Sequence, residues 1–487
     1  MAKTNETSKL IVSLVITLAL IGLGFSWLTR NLNLGRILRF GPAAQSPLDL
    51  QPTPLPTTVP VGFSSFYNPD AITRISQGGR LLFPDGVTIQ KEGAVAALNE
   101  GDLQRAINGL EAALRLNRND PEALIYLNNA RIGSGASFSI AVAVPISTDP
   151  DGSREILRGV AQAQTEINQA GGMKGTPLRV YIANDEGDPE IAKQIAIALI
   201  GDPSILGVVG HYASDVTLAA GNAYDALGLV AISPVSTSVT LSNRSDYILR
   251  TVPSDSVAGS TLATYTLNTL QQQKAAVFYN SKSGYSESLK TEFISALLRG
   301  GGQVVGVYDL SAPNFDAEAQ VQQAQLAGAT VLALLPNTGQ LDNAFKVARA
   351  NYGRFALLGG DDMYTPKTLQ MAEQGTAEMV VAVPWHILAH NDSPFVAASR
   401  QLWGGDVNWR TVTAYDATQT LIRAIQEAPA PTRQKIMETI RSDSFTATGA
   451  TSNVQFFPSG DRNQNVQLVK VQPGGRSGKG FDFVPVP

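Results

Sequence analysis

From Ser137 nearly to its end, this chain alternates short apolar runs with segments whose apolar residues recur every three or four positions. No other feature restricts the possible folds as much. Phe138 to Ile146 is a continuous apolar strand, and Ile156, Val160, Ala163 and Ile167 then mark one face of a helix. Leu178 to Ala183, Ile205 to Val209 and Leu229 to Ile232 supply further strands. A second series runs through Ala275 to Tyr279, Val304 to Tyr308, Val331 to Leu335, Phe355 to Leu358 and Met379 to Val383. Strands this apolar, separated by amphipathic helices, imply parallel sheets covered on both faces. The two series predict an α/β fold of two doubly wound parallel-sheet lobes joined by a hinge. No glycine-rich dinucleotide or phosphate loop opens either series; Gly300-Gly301-Gly302 follows a helical pattern and reads as a helix stop.

Composition removes several functions. Charged residues make up only 16% and hydrophobic ones 44% of the 487 residues, which suits packed domains rather than disorder. A net charge of −4 without a basic block beyond the N-terminus argues against nucleic acid as a partner. The absence of cysteine excludes disulfides, thiolate metal sites, a Cys nucleophile and thioether lipid attachment. His386 and His390 have the i, i+4 spacing of metal ligands, but no third ligand accompanies them. No paired acid and base suggests an enzyme, and no cofactor is expected.

Ahead of the alternating region the chain changes character. Leu10 to Leu28 is uncharged, and a helix of that length spans roughly 28 Å, enough for a bilayer core. It reads as a single-pass membrane anchor within residues 1–39; a cleaved secretory signal is the rival, since Lys3 and Lys9 precede it. Six prolines between Pro42 and Pro60 predict a stiff spacer, and residues 63–88 show no clear period, so 40–88 is taken as linker and connector. Residues 89–134 are helical in pattern. Ala94, Ala97 and Leu98, then Ala106, Leu110, Ala113 and Leu114, then Ala123, Leu127 and Ala130 after Asp120-Pro121 resemble one and a half tetratricopeptide repeats. A plain three-helix element is the alternative. Either way, so short a unit cannot bury its own apolar face and should lean on the next domain or a partner.

Candidate binding residues lie where strands end. Gly210-His211-Tyr212-Ala213-Ser214-Asp215 follows one strand and precedes a helix, and Ile232-Ser233-Pro234-Val235-Ser236-Thr237 follows the next. Helix N-termini beside the carboxyl ends of strands attract anions, and small hydroxyl side chains let a carboxylate come close. Ser214 and Thr237 are therefore expected to hold the acidic end of a small ligand. Asp361, in Gly359-Gly360-Asp361-Asp362, also follows a strand and supplies the opposite charge. One charge per lobe suits a zwitterion. His211 is expected to support the crevice wall.

On these residues the chain resembles a known family. Ile167 to Gly175, Gly210 to Thr217, Ile232-Ser233-Pro234, Leu249 to Asp255 and Ala414-Tyr415-Asp416-Ala417 are similar, in this order, to the periplasmic solute-binding proteins of branched-chain amino-acid (Leu/Ile/Val) ABC transporters. These are type I periplasmic binding proteins. The resemblance implies that 137–487 forms two lobes closing on a ligand, lobe 1 from about 137–255 and 388–460, lobe 2 from about 256–387 and 461–487. It implies that Ser214 and Thr237, with the backbone at Val235, bind the ligand's carboxylate. Asp361 would bind its ammonium and Tyr285 would cover it. Asn337 stands where the family has a tyrosine that also meets the ammonium, and Gly152 where it often has an aromatic, so the ligand's side chain is left open. The implied partners are an amino-acid-like ligand and an ABC permease, with the binding domain in the periplasm and the anchor in a bacterial inner membrane. A ligand-sensing receptor that signals through a partner protein is the alternative.

Overall fold

A computed structural model describes residues 68–486. The anchor expected at 10–28 and the Pro-rich spacer at 40–62 lie outside these residues. Among the described residues no helix is long and apolar enough to cross a membrane.

Two large sheets organise the described residues. The first contains β1 (Ile75–Ser76), β2 (Phe138–Val144), β3 (Leu178–Asn184), β4 (Ile205–Val209), β5 (Ala231–Ser233) and β6 (Ile248–Arg250), in the order β1-β3-β2-β4-β5-β6. β2 to β6 run parallel and β1 joins antiparallel to β3. The second contains β7 (Lys274–Tyr279), β8 (Gln303–Asp309), β9 (Val331–Leu335), β10 (Ala356–Gly359) and β11 (Val380–Val383), all parallel. After a small ribbon of β12 (Ala447–Thr448) and β13 (Asn453–Val454), the chain returns to this sheet as β14 (Gln467–Pro473) and β15 (Phe481–Pro485). The parallel sheets expected from sequence thus carry antiparallel edges. A hairpin needs only a tight turn, here 474–480, whereas another parallel strand would need a full crossover. Central strands such as β4 and β9 are buried along their whole length, in keeping with helices on both faces.

The chain passes between the lobes at 251–254, at 384–393 and at 455–466. The helices Pro394–Trp403 and Trp409–Glu427 belong with the first sheet, where Ser399 and Trp403 both donate to Gln162 Oε1 on the helix Pro150–Gln169.

The region before the lobes is built into the first of them. Residues 68–88, left unassigned from sequence, hold the helix Pro69–Thr73, capped by Asn68, and strand β1. Three helices follow, Ile89–Asn99, Leu103–Leu116 and Pro121–Ile132, each capped by a Thr or Asp side chain. The third is almost entirely buried because it lies between its two companions and lobe 1. There Asn129 Nδ2 donates to the Val180 carbonyl at 2.7 Å while the Val180 N–H donates to Asn129 Oδ1 at 3.1 Å. One side chain satisfies the edge of β3 just where short β1 has ended, which a buried backbone requires. Lys91, buried, pairs with Asp120 at 2.6 Å and Glu122 at 2.9 Å and ties the first helix to the third.

Candidate ligand cleft between the lobes

A cavity of about 550 Å³ lies between the lobes, at the carboxyl ends of their strands. Lobe 1 contributes Thr148 and Asp149 after β2, Ser214 and Asp215 after β4, and Val235 after β5. Lobe 2 answers with Tyr285 after β7, Asn337 and Thr338 after β9, and Asp361 and Asp362 after β10. This is where a doubly wound sheet presents loops and helix N-termini to a ligand.

Five of the six residues expected to bind ligand line this cavity: Ser214, Val235, Tyr285, Asn337 and Asp361. Ser214 is the first residue of the helix Ser214–Leu227. Its neighbour Ala213 occupies the cap position, and no side chain caps the helix. The Ser214 hydroxyl instead accepts from the Ser238 N–H at 3.3 Å, so its proton is left to donate. The Val235 N–H is turned to the Ser233 hydroxyl at 3.3 Å. Thr237 is not among the lining residues. Its hydroxyl is buried without a hydrogen-bond partner, beside Asp255, whose two carboxylate oxygens are also unpartnered. Burial pushes Asp255 up to about 6, while the Ser288 and Thr237 hydroxyls pull the other way from outside good hydrogen-bond geometry.

On the facing side, the Tyr285 hydroxyl donates to Asp361 Oδ1. Asn337 accepts from Asn280 Nδ2 at 2.7 Å. Burial raises Asp361 to about 6 against the pull of Tyr285 and Arg410, and raises Asp362 to about 7 against the pull of Arg410. A cation arriving beside this pair would favour its ionised form.

Sequence reasoning missed the cross-cleft contacts. Arg410, at the start of the helix Trp409–Glu427, donates through a terminal guanidinium nitrogen (Nη2) to Asp362 Oδ1 at 3.0 Å and through Nε to the Tyr212 hydroxyl at 2.9 Å. Thr338 donates to Asp362 Oδ2 at 3.2 Å. Burial alone would lower Arg410, but Tyr212 and the surrounding carboxylates hold it charged. Nearby, the Gly284 N–H at the start of a lobe 2 helix donates to Asp215 Oδ2 at 2.8 Å. No spacing in the sequence links Arg410 to Asp362. Asp215, by contrast, lies inside a run already singled out.

His211 is fully buried, with Nδ1 2.6 Å from Asp185 Oδ2 and Nε2 3.0 Å from the Tyr224 hydroxyl. It is thus part of the wall behind the Ser214 turn. His390 stacks on Trp385 and meets Gln467, while burial pushes His386 down to about 4. Among the described residues, no three His, Asp or Glu side chains gather as a metal site.

A family model for periplasmic binding proteins matches residues 137–477. The chain is a member of that family. It is 30% identical over 232 residues to the leucine-specific-binding protein of Salmonella typhimurium, covering 47% of this chain and 62% of that protein's length. To the Leu/Ile/Val-binding protein of Escherichia coli K12 it is 27% identical over 281 residues, covering 56% of this chain and 74% of the other. The periplasmic binding protein fold is shared with an ABC transporter substrate-binding protein from Desulfitobacterium hafniense in complex with Leu, at a TM-score of 0.62 and 24% identity, over 72% of this chain and 100% of that one. A leucine-binding protein from Thermotoga maritima superposes with a TM-score of 0.63 at 20% identity, over 71% of this chain and 97% of the other. The helices before residue 137 lie outside the family match.

Proposed function

We propose that this chain is an extracytoplasmic solute-binding protein that closes its lobes on an amino acid and delivers it to an ABC-type uptake transporter. The facing of Ser214, at a helix N-terminus in lobe 1, and the Asp361–Tyr285 pair in lobe 2 across one cavity carries this reading. The hydroxyl and helix end receive the carboxylate, and Asp361 takes the ammonium. Thr237, expected from sequence to share the carboxylate, lies behind the cavity wall and is left out of this site. The names of the Salmonella and E. coli relatives, which bind leucine and the branched-chain amino acids, support the ligand class. The segment 10–28 serves as the membrane tether, and the three helices of 89–132, read as a tetratricopeptide-like unit, form part of lobe 1's outer surface. The test is the thermal stability of the full-length chain with each common amino acid in turn. A ligand that binds only the native state must raise it, and a panel without any shift would remove the proposal.

A further inference from the structure

We infer that the ligand is an amino acid with a cationic side chain, and that Asp149 receives that cation. This deepens the reading of the cleft just given and rests on it.

Position along the sheet edge comes first. In lobe 1 the strand order is β3-β2-β4-β5, and the residues assigned to the ligand's carboxylate follow β4 and β5. The cavity continues past them to the ends of β2 and β3, where Asp149 and Gly187 line it. Neighbouring strands lie about 4.8 Å apart, and Asp149 follows β2, the strand next to the β4 that Ser214 follows. A straight side chain of about five or six bonds is long enough to cross one such spacing.

The charge balance agrees. Four carboxylates line the cavity: Asp149, Asp215, Asp361 and Asp362. Asp362 is matched by Arg410, Asp361 is held beside the Tyr285 hydroxyl for the ligand's α-ammonium, and Asp215 accepts from the Gly284 N–H. Asp149 has no ion-pair partner within 4.0 Å among the described residues, although the Arg410 guanidinium that Asp362 holds is near enough to feel its charge. One of its oxygens caps the helix Pro150–Gln169 by accepting from the Gly152 N–H at 2.9 Å, and the other has no assigned bond. Lys282 is the one cationic side chain lining the cavity among the described residues, and it stands exposed on the lobe 2 rim. Against these four carboxylates stand Arg410 and Lys282, and a zwitterion, with no net charge, leaves the remaining excess of negative charge as it was, whereas a ligand with a second ammonium or a guanidinium reduces it.

Local geometry also keeps Asp149 in place. A Cβ at position 152 would lie 2.4 Å from Asp149 Oδ2 and 2.9 Å from the Tyr212 ring. Glycine at 152 therefore lets the carboxylate stand at the cavity wall, where a larger residue would displace it.

The experiment is calorimetric titration of the full-length chain with L-lysine, L-arginine, L-norleucine, L-leucine and L-glutamate. Norleucine has a straight carbon side chain without the terminal charge. Lysine or arginine is expected to bind at least tenfold more tightly than norleucine. Asp149→Asn should erase that preference while norleucine affinity stays within twofold, because asparagine also caps a helix. Norleucine or leucine binding as tightly as lysine, or a lysine preference that survives Asp149→Asn, overturns the inference and leaves the amino-acid reading intact. Failure of every α-amino acid to bind overturns both.

Discussion

Arg410 and Asp362 form a buried ion pair at 3.0 Å that joins a helix of lobe 1 to the strand-end loop of lobe 2. The same guanidinium holds Tyr212, so one side chain links the floor of the lobe 1 wall to the far side of the cleft. Removing one partner strands the other charge in a poorly solvated place. Asp362→Ala should lower unfolding stability by about 3 kcal/mol, and Arg410→Met/Asp362→Leu together should cost less than that single change. Urea unfolding of the three proteins checks both statements; a double variant that costs more than Asp362→Ala would show that the pair is a net stabiliser.

Asp361 and Tyr285 are expected to matter to binding rather than to folding. Asp361→Asn keeps the shape but removes the charge meant for an ammonium. Affinity for the best amino-acid ligand should fall about 100-fold, close to 3 kcal/mol. Tyr285→Phe, which loses only the hydroxyl that orients Asp361, should cost about tenfold. Titration calorimetry reads both, and unchanged affinity in Asp361→Asn would remove the ammonium role.

Asp255 makes stability depend on pH. Burial raises its folded value to about 6, above the ordinary 3.8, with Arg250 opposing and Glu292 adding to the rise. A carboxyl raised on folding stabilises most below its unfolded value, and that advantage is lost as pH climbs through its folded value. Between pH 4 and pH 7 the wild-type chain should therefore lose up to about 3 kcal/mol from this group. Asp255→Asn should make that part of the profile shallower, with Asp361 and Asp362 still titrating in it, as measured by melting temperature at pH 4, 5, 6 and 7. An unaltered profile would mean that the carboxyl titrates normally in the folded protein.

The helices before residue 137 are predicted to unfold together with lobe 1. Asn129→Leu leaves the Val180 N–H and carbonyl unpaired against the sheet edge and should cost about 2–4 kcal/mol. Denaturant unfolding followed by fluorescence and by circular dichroism should show one coincident, shifted transition for lobe 1 and these helices. Separate transitions would show the helices to be an independent unit.

Much of the framework was legible along the chain. Strands such as Ile205–Val209 and Val331–Leu335 stand where the apolar runs ended, because a fully buried strand must be apolar on both faces. Less was legible at the edges. β1 is two residues long and pairs with β3 across more than a hundred positions, and β14 and β15 arrive after a long excursion through lobe 1, so no local period marks their partners. Of the cleft, Ser214 and Asp361 were legible because strand ends are visible in sequence, whereas Val235, Tyr285 and Asn337 were reached only through the family resemblance; all five line the cavity. Thr237, in the same kind of run, lies behind the cavity wall, since alternation along a turn does not say which side chain faces the gap.

By itself, the sequence determined two wound lobes, their strands and the residues at the strand ends, since burial and helix periodicity are written into neighbouring positions. Only the tertiary structure decided that Arg410 faces Asp362, that Asn129 closes the edge of β3, and that Asp149 lines the cavity. Those contacts join residues 48 and 51 positions apart in the chain or depend on how two lobes meet, and a charge or amide acquires its partner only when packing removes water from around it.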